Sequence, residues 1–215
     1  VSSMLNIQLR HIEDSEGATA IRDSRDRIYT MALVHRKFTD NEDIGSIDIR
    51  SFITDLVEKV INSSSLDSKK IKSTVDVPEL TSSPEVLVPL GLIINELLIN
   101  AVRHGLIEID EPEITVSVHE DHRENVYRFE VKDNGAGGSN PLLSPSRTSL
   151  GVSIIQSLAV QLDAKLEFHN EAGMRVTLSF DSELFKVSRQ SKLRLESAQE
   201  QINRTQGPLQ SRLRG

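Results

Sequence analysis

Two short segments, at residues 95–105 and 133–137, constrain the fold of this chain more than any other feature. The first, NELLINAVRHG, sets leucine and isoleucine among polar residues at helical spacing and ends in glycine. The second, DNGAG, follows an alternating, strand-like stretch, and its glycines let backbone amides face an anion. The first segment thus gives a helix with an amide and a carboxylate, and the second gives a strand that ends in aspartate and a glycine-rich turn. Together they form a layout that can bind a nucleotide.

Composition narrows the classes of function. The 215 residues suffice for one sizeable domain and an accessory piece, and a net charge of -7 argues against a nucleic-acid partner. The absence of cysteine excludes disulfides and cysteine-ligated zinc, and a reducing compartment is compatible with it. The longest apolar run, 86–94, has nine residues, and no signal-peptide pattern opens the chain. We therefore expect a cytoplasmic chain that makes no membrane contact.

Hydrophobic periodicity predicts an α+β fold. Residues 1–40 show helical spacing broken at 14–17, which predicts a helical hairpin whose apolar stripes need a partner. The stripe of its second helix comprises Ile21, Ile28, Met31, Val34 and Phe38. Downstream, the pattern predicts helices at 49–62, from 84 onward and at 150–162, and strands at 71–77, 113–119, 125–132, 165–169 and 174–180. This order predicts a two-layer α/β sandwich, a mixed sheet with helices on one face, after the hairpin.

The chain divides into three predicted regions: the hairpin at 1–42, the α/β domain at 43–185 and a basic tail or linker at 186–215. A loop at 137–148, rich in glycine, proline and serine, is predicted to be a mobile lid. The tail holds seven Lys or Arg residues against two Glu residues, a composition that favours a solvated helix or a disordered linker.

Asn100 and Glu96 lie four residues apart, so a helix places them on one face. Magnesium takes few protein oxygen ligands and completes its shell with water and phosphate, so the Asn100 amide oxygen is a candidate ligand. The alternative is a buried asparagine satisfied by backbone. Glu96 is a candidate base that polarises an attacking hydroxyl, water or imidazole, or a group that orients Asn100. A purely structural acid is the third possibility for Glu96.

Asp133 is a candidate for recognising adenine. An ionised carboxylate only accepts hydrogen bonds, so it can take one from the exocyclic amine of adenine and would reject guanine. The alternative is an aspartate that opens a common Asp-Asn-Gly hairpin turn. A hairpin turn does not explain the further glycines and the long polar loop that follow, so we favour the binding role.

Three glycines are candidates for the phosphate region. Gly135 and Gly137 permit close approach of the backbone, and Gly151 opens the next predicted helix, where free amides and the helix dipole attract anions. Each glycine is a weak signal when it is taken alone.

Basic side chains add further candidates. Arg103 and Arg147 can contact phosphate, and His104 can stack on the base; the alternatives are solvated charges and a half-buried histidine at a helix end. His119 and His122 lie in a predicted turn between strands with no third metal ligand evident, which favours a solvated loop.

These segments together resemble the sensor histidine kinases, and within them the HWE-like subfamily with a type-2 dimerisation region. Residues 95–105 resemble the N box, 133–137 the first glycine box and 149–155 the second, of the Bergerat (GHKL) ATP-binding fold of gyrase, heat-shock chaperones and histidine kinases. Residues 27–38, RIYTMALVHRKF, are similar to the second helix of the dimerisation region. The resemblance covers residues 1 to about 182.

The resemblance implies a protein-histidine kinase of two-component signalling. Such a kinase binds Mg²⁺ and ATP, passes the γ-phosphate to a histidine, and relays it to an aspartate in a response regulator receiver domain. The resemblance assigns Asn100 to magnesium, Asp133 to adenine, Arg103 to phosphate and His104 to the base pocket. It also implies a homodimer in the parent protein, with residues 1–42 as a partial dimerisation and phosphotransfer hairpin.

Two departures from the family pattern bear on activity. The acceptor histidine of the subfamily precedes the segment that residues 1–8 resemble, so we expect a fragment that binds ATP without phosphorylating itself. His35 matches a histidine that is not the acceptor, and His11 lies too late in the first helix. Met174 follows Gly173 where the family often has threonine, which is expected to lower the affinity for ATP.

Two other functions stay open. An ATP hydrolase or protein-serine kinase on the same fold would use Glu96 to activate water or a hydroxyl, although the helical pair at 1–40 argues against it. A non-catalytic signalling module would keep the nucleotide pocket and act through a partner.

Overall fold

A computed structural model describes residues 15–40, 46–64, 66, 71–137, 150–170, 172–182 and 184–185. The predictions for the first helix of the hairpin with His11, for most of the lid with Arg147, and for the basic tail lie outside these residues.

The described residues form four α-helices and seven strands. The helices are α1 (Ser15–Asp40), α2 (Ile49–Asn62), α3 (Pro84–Asn100) and α4 (Leu150–Gln161). The strands are β1 (Ile47–Asp48), β2 (Lys72–Asp76), β3 (Thr81–Ser82), β4 (Glu113–Asp121), β5 (Val126–Asp133), β6 (Lys165–His169) and β7 (Arg175–Asp181). All the strands predicted from periodicity are present, and the short antiparallel ribbon of β1 and β3 is an addition that the sequence pattern did not indicate.

The five longer strands form one mixed sheet in the order β2-β4-β5-β7-β6. Strand β2 runs parallel to β4, and the other neighbours are antiparallel. Strand β5 is central, and its last residue, Asp133, lies opposite Ile114 of β4. The residue that the sequence singled out for base recognition therefore sits at the end of the middle strand.

Burial alternates along the second half of the central strand β5, as expected when helices cover one face of a sheet. Val116, Phe129 and Leu178 are buried on the covered face, whereas Arg128 and Glu130 on the other face are only half-buried. Phe129, Phe180 and Phe185 form an aromatic cluster with ring centroids 5.3 to 6.0 Å apart. The predicted two-layer α/β sandwich is thus confirmed.

Helix α3 is the centre of the helical layer. It begins with Pro84 after an extended Ser83, and 13 of its residues are buried. Within the described part of the chain, residues 84–105 are the one helical stretch long and apolar enough to cross a membrane, although no apolar run there exceeds nine residues. Because 83% of the apolar window is buried inside the protein, core packing accounts for its composition.

Helix α1 packs on α3 with a face that differs from the predicted apolar stripe. Val34 is buried as predicted, but Met31 and Phe38 are 45% and 39% exposed, while Asp26 and Thr30 are buried. The exposure of Met31 and Phe38 does not contradict the prediction, because the stripe was expected to need a partner for burial. The buried polar face is an addition: polar and charged groups of α1 find partners on α2 and α3, which periodicity of apolar residues does not reveal.

Gly91 of α3 allows α1 and α2 to approach closely. A Cβ atom at this position would lie 2.5 Å from the ring tip of Phe52 in α2 and 3.2 Å from the methyl group of Thr30 in α1. Both of those side chains are fully buried, so neither has free space into which to move.

We expect Gly91→Ala to lower the free energy of unfolding by about 1 kcal/mol. Overpacking a core costs about 1–3 kcal/mol, which outweighs the gain of roughly 1 kcal/mol from replacing glycine by alanine within a helix. Urea denaturation measures the difference, and adding Phe52→Leu should make the combined loss smaller than the sum of the two single losses. A more stable Gly91→Ala variant would contradict the close packing.

Candidate functional site

The two segments that the sequence singled out meet through their backbones. Helix α3 continues into a π-helical turn, Ala101–Gly105, a widened geometry that is common at functional sites. The carbonyl of Gly105 accepts a hydrogen bond from the amide of Ala136 at 3.3 Å. A Cβ atom on Gly135 would lie 2.1 Å from the Gly105 carbonyl oxygen, so only glycine fits there.

Asp133 is buried at 6% exposure, and its carboxylate orders the turn that follows it. Its Oδ1 atom accepts hydrogen bonds from the amides of Gly135 at 2.9 Å and Met174 at 3.2 Å. Within the described residues, both of these protein hydrogen bonds end on Oδ1. The second oxygen, Oδ2, is therefore the acceptor that can serve a ligand.

Asn134 holds the same turn from the other side. Its side-chain oxygen accepts from the amide of Glu113 at 2.8 Å, and its side-chain nitrogen donates to the carbonyl of Glu111 at 2.8 Å. The sequence offered only a common turn composition for this residue, whereas the structure assigns it a supporting role at the base of the site.

Gly173 and Met174, just before strand β7, close the site from the other side. The φ angle of Gly173 is 108°, and a Cβ atom there would lie 2.0 Å from the carbonyl oxygen of Asp133, so a side chain is excluded. Met174 contributes through its backbone, since its amide reaches the Asp133 carboxylate and its carbonyl accepts from the Asp133 amide at 2.9 Å. The sequence reading noted Met174 only for its side chain and missed this backbone role.

Gly137 and Gly151 flank the stretch 138–149, which lies outside the described residues. Gly137 has a φ angle of 69°, and a Cβ atom on it would lie 2.2 Å from the side-chain oxygen of Asn170. Gly151 is the second residue of α4 as described and is half-buried. The role of both glycines near phosphate stays a prediction.

Glu96 points toward α1. Its carboxylate is 6% exposed and accepts two hydrogen bonds from Arg27, Nε to Oε1 at 2.8 Å and Nη2 to Oε2 at 3.3 Å. This paired, forked contact joins residues 69 positions apart, and nothing in the sequence pattern indicated it.

Arg103 and His104 lie in the π-helical turn, and Asn100 lies just before it. Arg103 donates through Nη1 to Asp23 of α1 at 2.6 Å, Asn100 is half-buried, and His104 is exposed. Arg103 and His104 also line a cleft of about 630 Å³ between α1, the end of α2 and this turn. Three predicted site residues thus cluster at one end of α3.

Asn95 is an unexpected feature of the N-terminal part of this segment. It is fully buried, and neither its side-chain oxygen nor its side-chain nitrogen finds a hydrogen-bond partner in the described part of the chain. An unsatisfied buried amide lowers the stability of the folded state.

Two protein families match this chain over most of its length. Residues 1–64 match a family described as histidine kinase, and residues 85–184 match the family of histidine kinase-, DNA gyrase B- and HSP90-like ATPases. No curated protein matches the chain. The first match extends beyond the predicted region boundary at residue 42 and includes α2.

Solved structures share the fold at low sequence identity. The histidine kinase domain of the Erythrobacter litoralis EL346 blue-light activated histidine kinase is 17% identical, with a TM-score of 0.66 over 87% of this chain and 97% of that domain. A longer structure of the same kinase is 18% identical, with a TM-score of 0.67 over 86% of this chain and 60% of that one. Acinetobacter baumannii histidine kinase AdeS is 15% identical, with a TM-score of 0.50 over 84% of this chain and 94% of that one.

We expect Asn95→Leu to raise the free energy of unfolding by about 1–3 kcal/mol, because it removes two unsatisfied buried polar atoms while keeping the branched shape. Asn134→Leu is the matched control, and it should be destabilising because it deletes satisfied hydrogen bonds. Thermal and urea denaturation measure both variants. A destabilised Asn95→Leu variant would contradict the unpaired state of Asn95.

Proposed function

We propose that this chain, which belongs to the histidine kinase family, binds ATP together with Mg²⁺. The γ-phosphate of the ATP passes to a histidine and is then relayed to an aspartate of a response regulator. The observation that carries the proposal is the buried Asp133 carboxylate, in which the described protein hydrogen bonds occupy Oδ1 and leave Oδ2 for a ligand. We further propose that the chain is cytoplasmic and that the parent protein containing it is a homodimer. Its proposed partner is the receiver domain of a response regulator.

Adenine fits against Asp133. Because the Gly135 and Met174 amides hold Oδ1, the Oδ2 atom can accept a hydrogen bond from the exocyclic amine of the base. The glycines at 105, 135 and 173 pack against one another's backbone and against Asp133, which holds the carboxylate in a fixed place for the base.

The phosphates would lie toward the end of α3. The groups there, an amide oxygen on Asn100 and the guanidinium of Arg103, suit a magnesium-bound triphosphate, while His104 is proposed to line the base pocket. When bound, Mg²⁺ neutralises developing charge on the phosphate oxygens. Gly137 and Gly151 are proposed to admit the phosphates to backbone amides, and Arg147, outside the described residues, is proposed to contact phosphate.

Glu96 is proposed to serve as the base. In the transfer, an imidazole nitrogen attacks the γ-phosphorus, the bond to the bridging oxygen of ADP breaks, and the imidazole proton passes to the Glu96 carboxylate. His35 is exposed and lies eight residues beyond Arg27, which contacts Glu96, so it is about 12 Å farther along α1. This distance supports an acceptor other than His35.

Asp133→Asn should weaken ATP binding about 10- to 150-fold, because a hydrogen bond to a charged group is worth about 1.5–3 kcal/mol. In the variant, the side-chain oxygen of the asparagine can still accept the hydrogen bonds from the Gly135 and Met174 amides. The side-chain nitrogen then takes the place of Oδ2, and it cannot accept a hydrogen bond from adenine. Isothermal calorimetry measures the affinity. Asp163→Asn, at an exposed position after α4, is the matched control, and equal affinities for the two variants would refute the adenine role.

Labelling with magnesium and γ-labelled ATP tests the phosphotransfer. We expect this chain to bind ATP and remain unlabelled, and the full-length protein to gain a label that is lost in acid and stable in alkali. Such a label on this chain would place the acceptor at a histidine within it, His11 or His35. Steady phosphate release without labelling of the full-length protein would point to an ATP hydrolase. ATP binding with neither phosphate release nor labelling would point to a non-catalytic module.

A further inference from the structure

We propose that Arg27 of α1 is a positioning residue for Glu96, so that the second dimerisation helix completes the catalytic site. The inference rests on the proposed function, because it assigns a partner to the base of that same reaction. It starts from the forked contact in which Nε and Nη2 of Arg27 reach Oε1 and Oε2 of Glu96 at 2.8 and 3.3 Å.

The contact belongs to an extended register between two antiparallel helices. Three contacts follow one another along the two helices: Asp23 with Arg103, Arg27 with Glu96, and Thr30 with Gly91. Residue numbers increase along α1 while those of its contacts decrease, so the two helices run antiparallel. Steps of four and three residues along α1 keep these side chains on one helical face. The face of α1 that carries Asp23, Arg27 and Thr30 therefore packs on the side of α3 that carries Glu96. The apolar periodicity of the sequence did not indicate this face.

Burial makes the contact specific. The side chains of Arg27 and Glu96 are 15% and 6% exposed, so neither charge is satisfied by bulk water. A buried carboxylate without a partner is strongly disfavoured, and removing one member of a buried pair leaves the other charge uncompensated. A third pair, Lys59 of α2 with Asp26 at 2.7 Å, ties the residue next to Arg27 to α2.

The forked geometry fixes the plane of the Glu96 carboxylate. Each carboxylate oxygen has two lone-pair directions, and Arg27 takes one on each oxygen. The remaining directions are then held in a set orientation, which is what a base needs in order to accept a proton from an aligned donor. A single hydrogen bond from a lysine would leave the carboxylate free to rotate.

The test compares Arg27→Gln, Arg27→Lys and Arg27→Ala in the full-length protein, with Arg36→Gln as the control. Arg36 is an exposed arginine on the same helix. For Arg27→Gln we expect kcat for phosphohistidine formation to fall about 100-fold, the loss typical of a small misplacement of a catalytic group, with KM for ATP within about twofold. The kcat of Arg27→Lys should lie between those of Arg27→Gln and the wild type. The kcat of Arg36→Gln should equal that of the wild type.

Chemical rescue separates positioning from a purely structural role. Methylguanidinium, below concentrations that unfold the protein, should raise kcat of Arg27→Ala by refilling the emptied position, and it should leave Arg27→Lys unchanged. Thermal denaturation of each variant gives the folded fraction by which rates are corrected. A corrected kcat equal to the wild type, or the absence of any rescue, would overturn the proposal, as would a faster Arg27→Gln variant.

Failure of the proposed function would look different. In that case the wild-type protein itself would bind no ATP by calorimetry or form no acid-labile phosphoprotein. If the wild type does both and the Arg27 variants keep its kcat, the positioning role alone is wrong.

Discussion

The fold depends on burying α3 on nearly all sides. With 13 of its residues buried, this helix needs the sheet beneath it and other helices around it, and α1, α2 and α4 meet that need. Apart from Glu85 in its first turn, half-buried or exposed polar groups lie at its last residues and in the π-helical turn. The burial requirement thus places Asn100, Arg103 and His104 at an accessible end of an otherwise enclosed helix.

Close backbone contact then defines the site. Gly105, Gly135 and Gly173 are packed so tightly against the Asp133 turn that added Cβ atoms would collide with or crowd its atoms or the neighbouring carbonyl. One carboxylate oxygen and Asn134 tie that turn to strands on both sides. These contacts hold the Asp133 carboxylate mainly through backbone, which favours recognition of a base by one well-placed acceptor.

Sequence reasoning found the elements and the two segments, because periodicity and glycine content are local signals. It missed the β1–β3 ribbon, the buried polar residues of α1, the backbone role of Met174 and the Arg27–Glu96 contact. These features depend on residues far apart in the chain. The roles of the site residues in binding and catalysis stay predictions.

The sequence by itself determined the α+β order of elements, the family and the set of candidate site residues, since these follow from local spacing and short motifs. Only the tertiary structure decided which atoms face a ligand and which are already engaged. Asp133 keeps one oxygen free, whereas Glu96 and Arg103 are paired with Arg27 and Asp23. The physical reason is that a hydrogen bond depends on distance and direction in space, and a linear pattern contains neither.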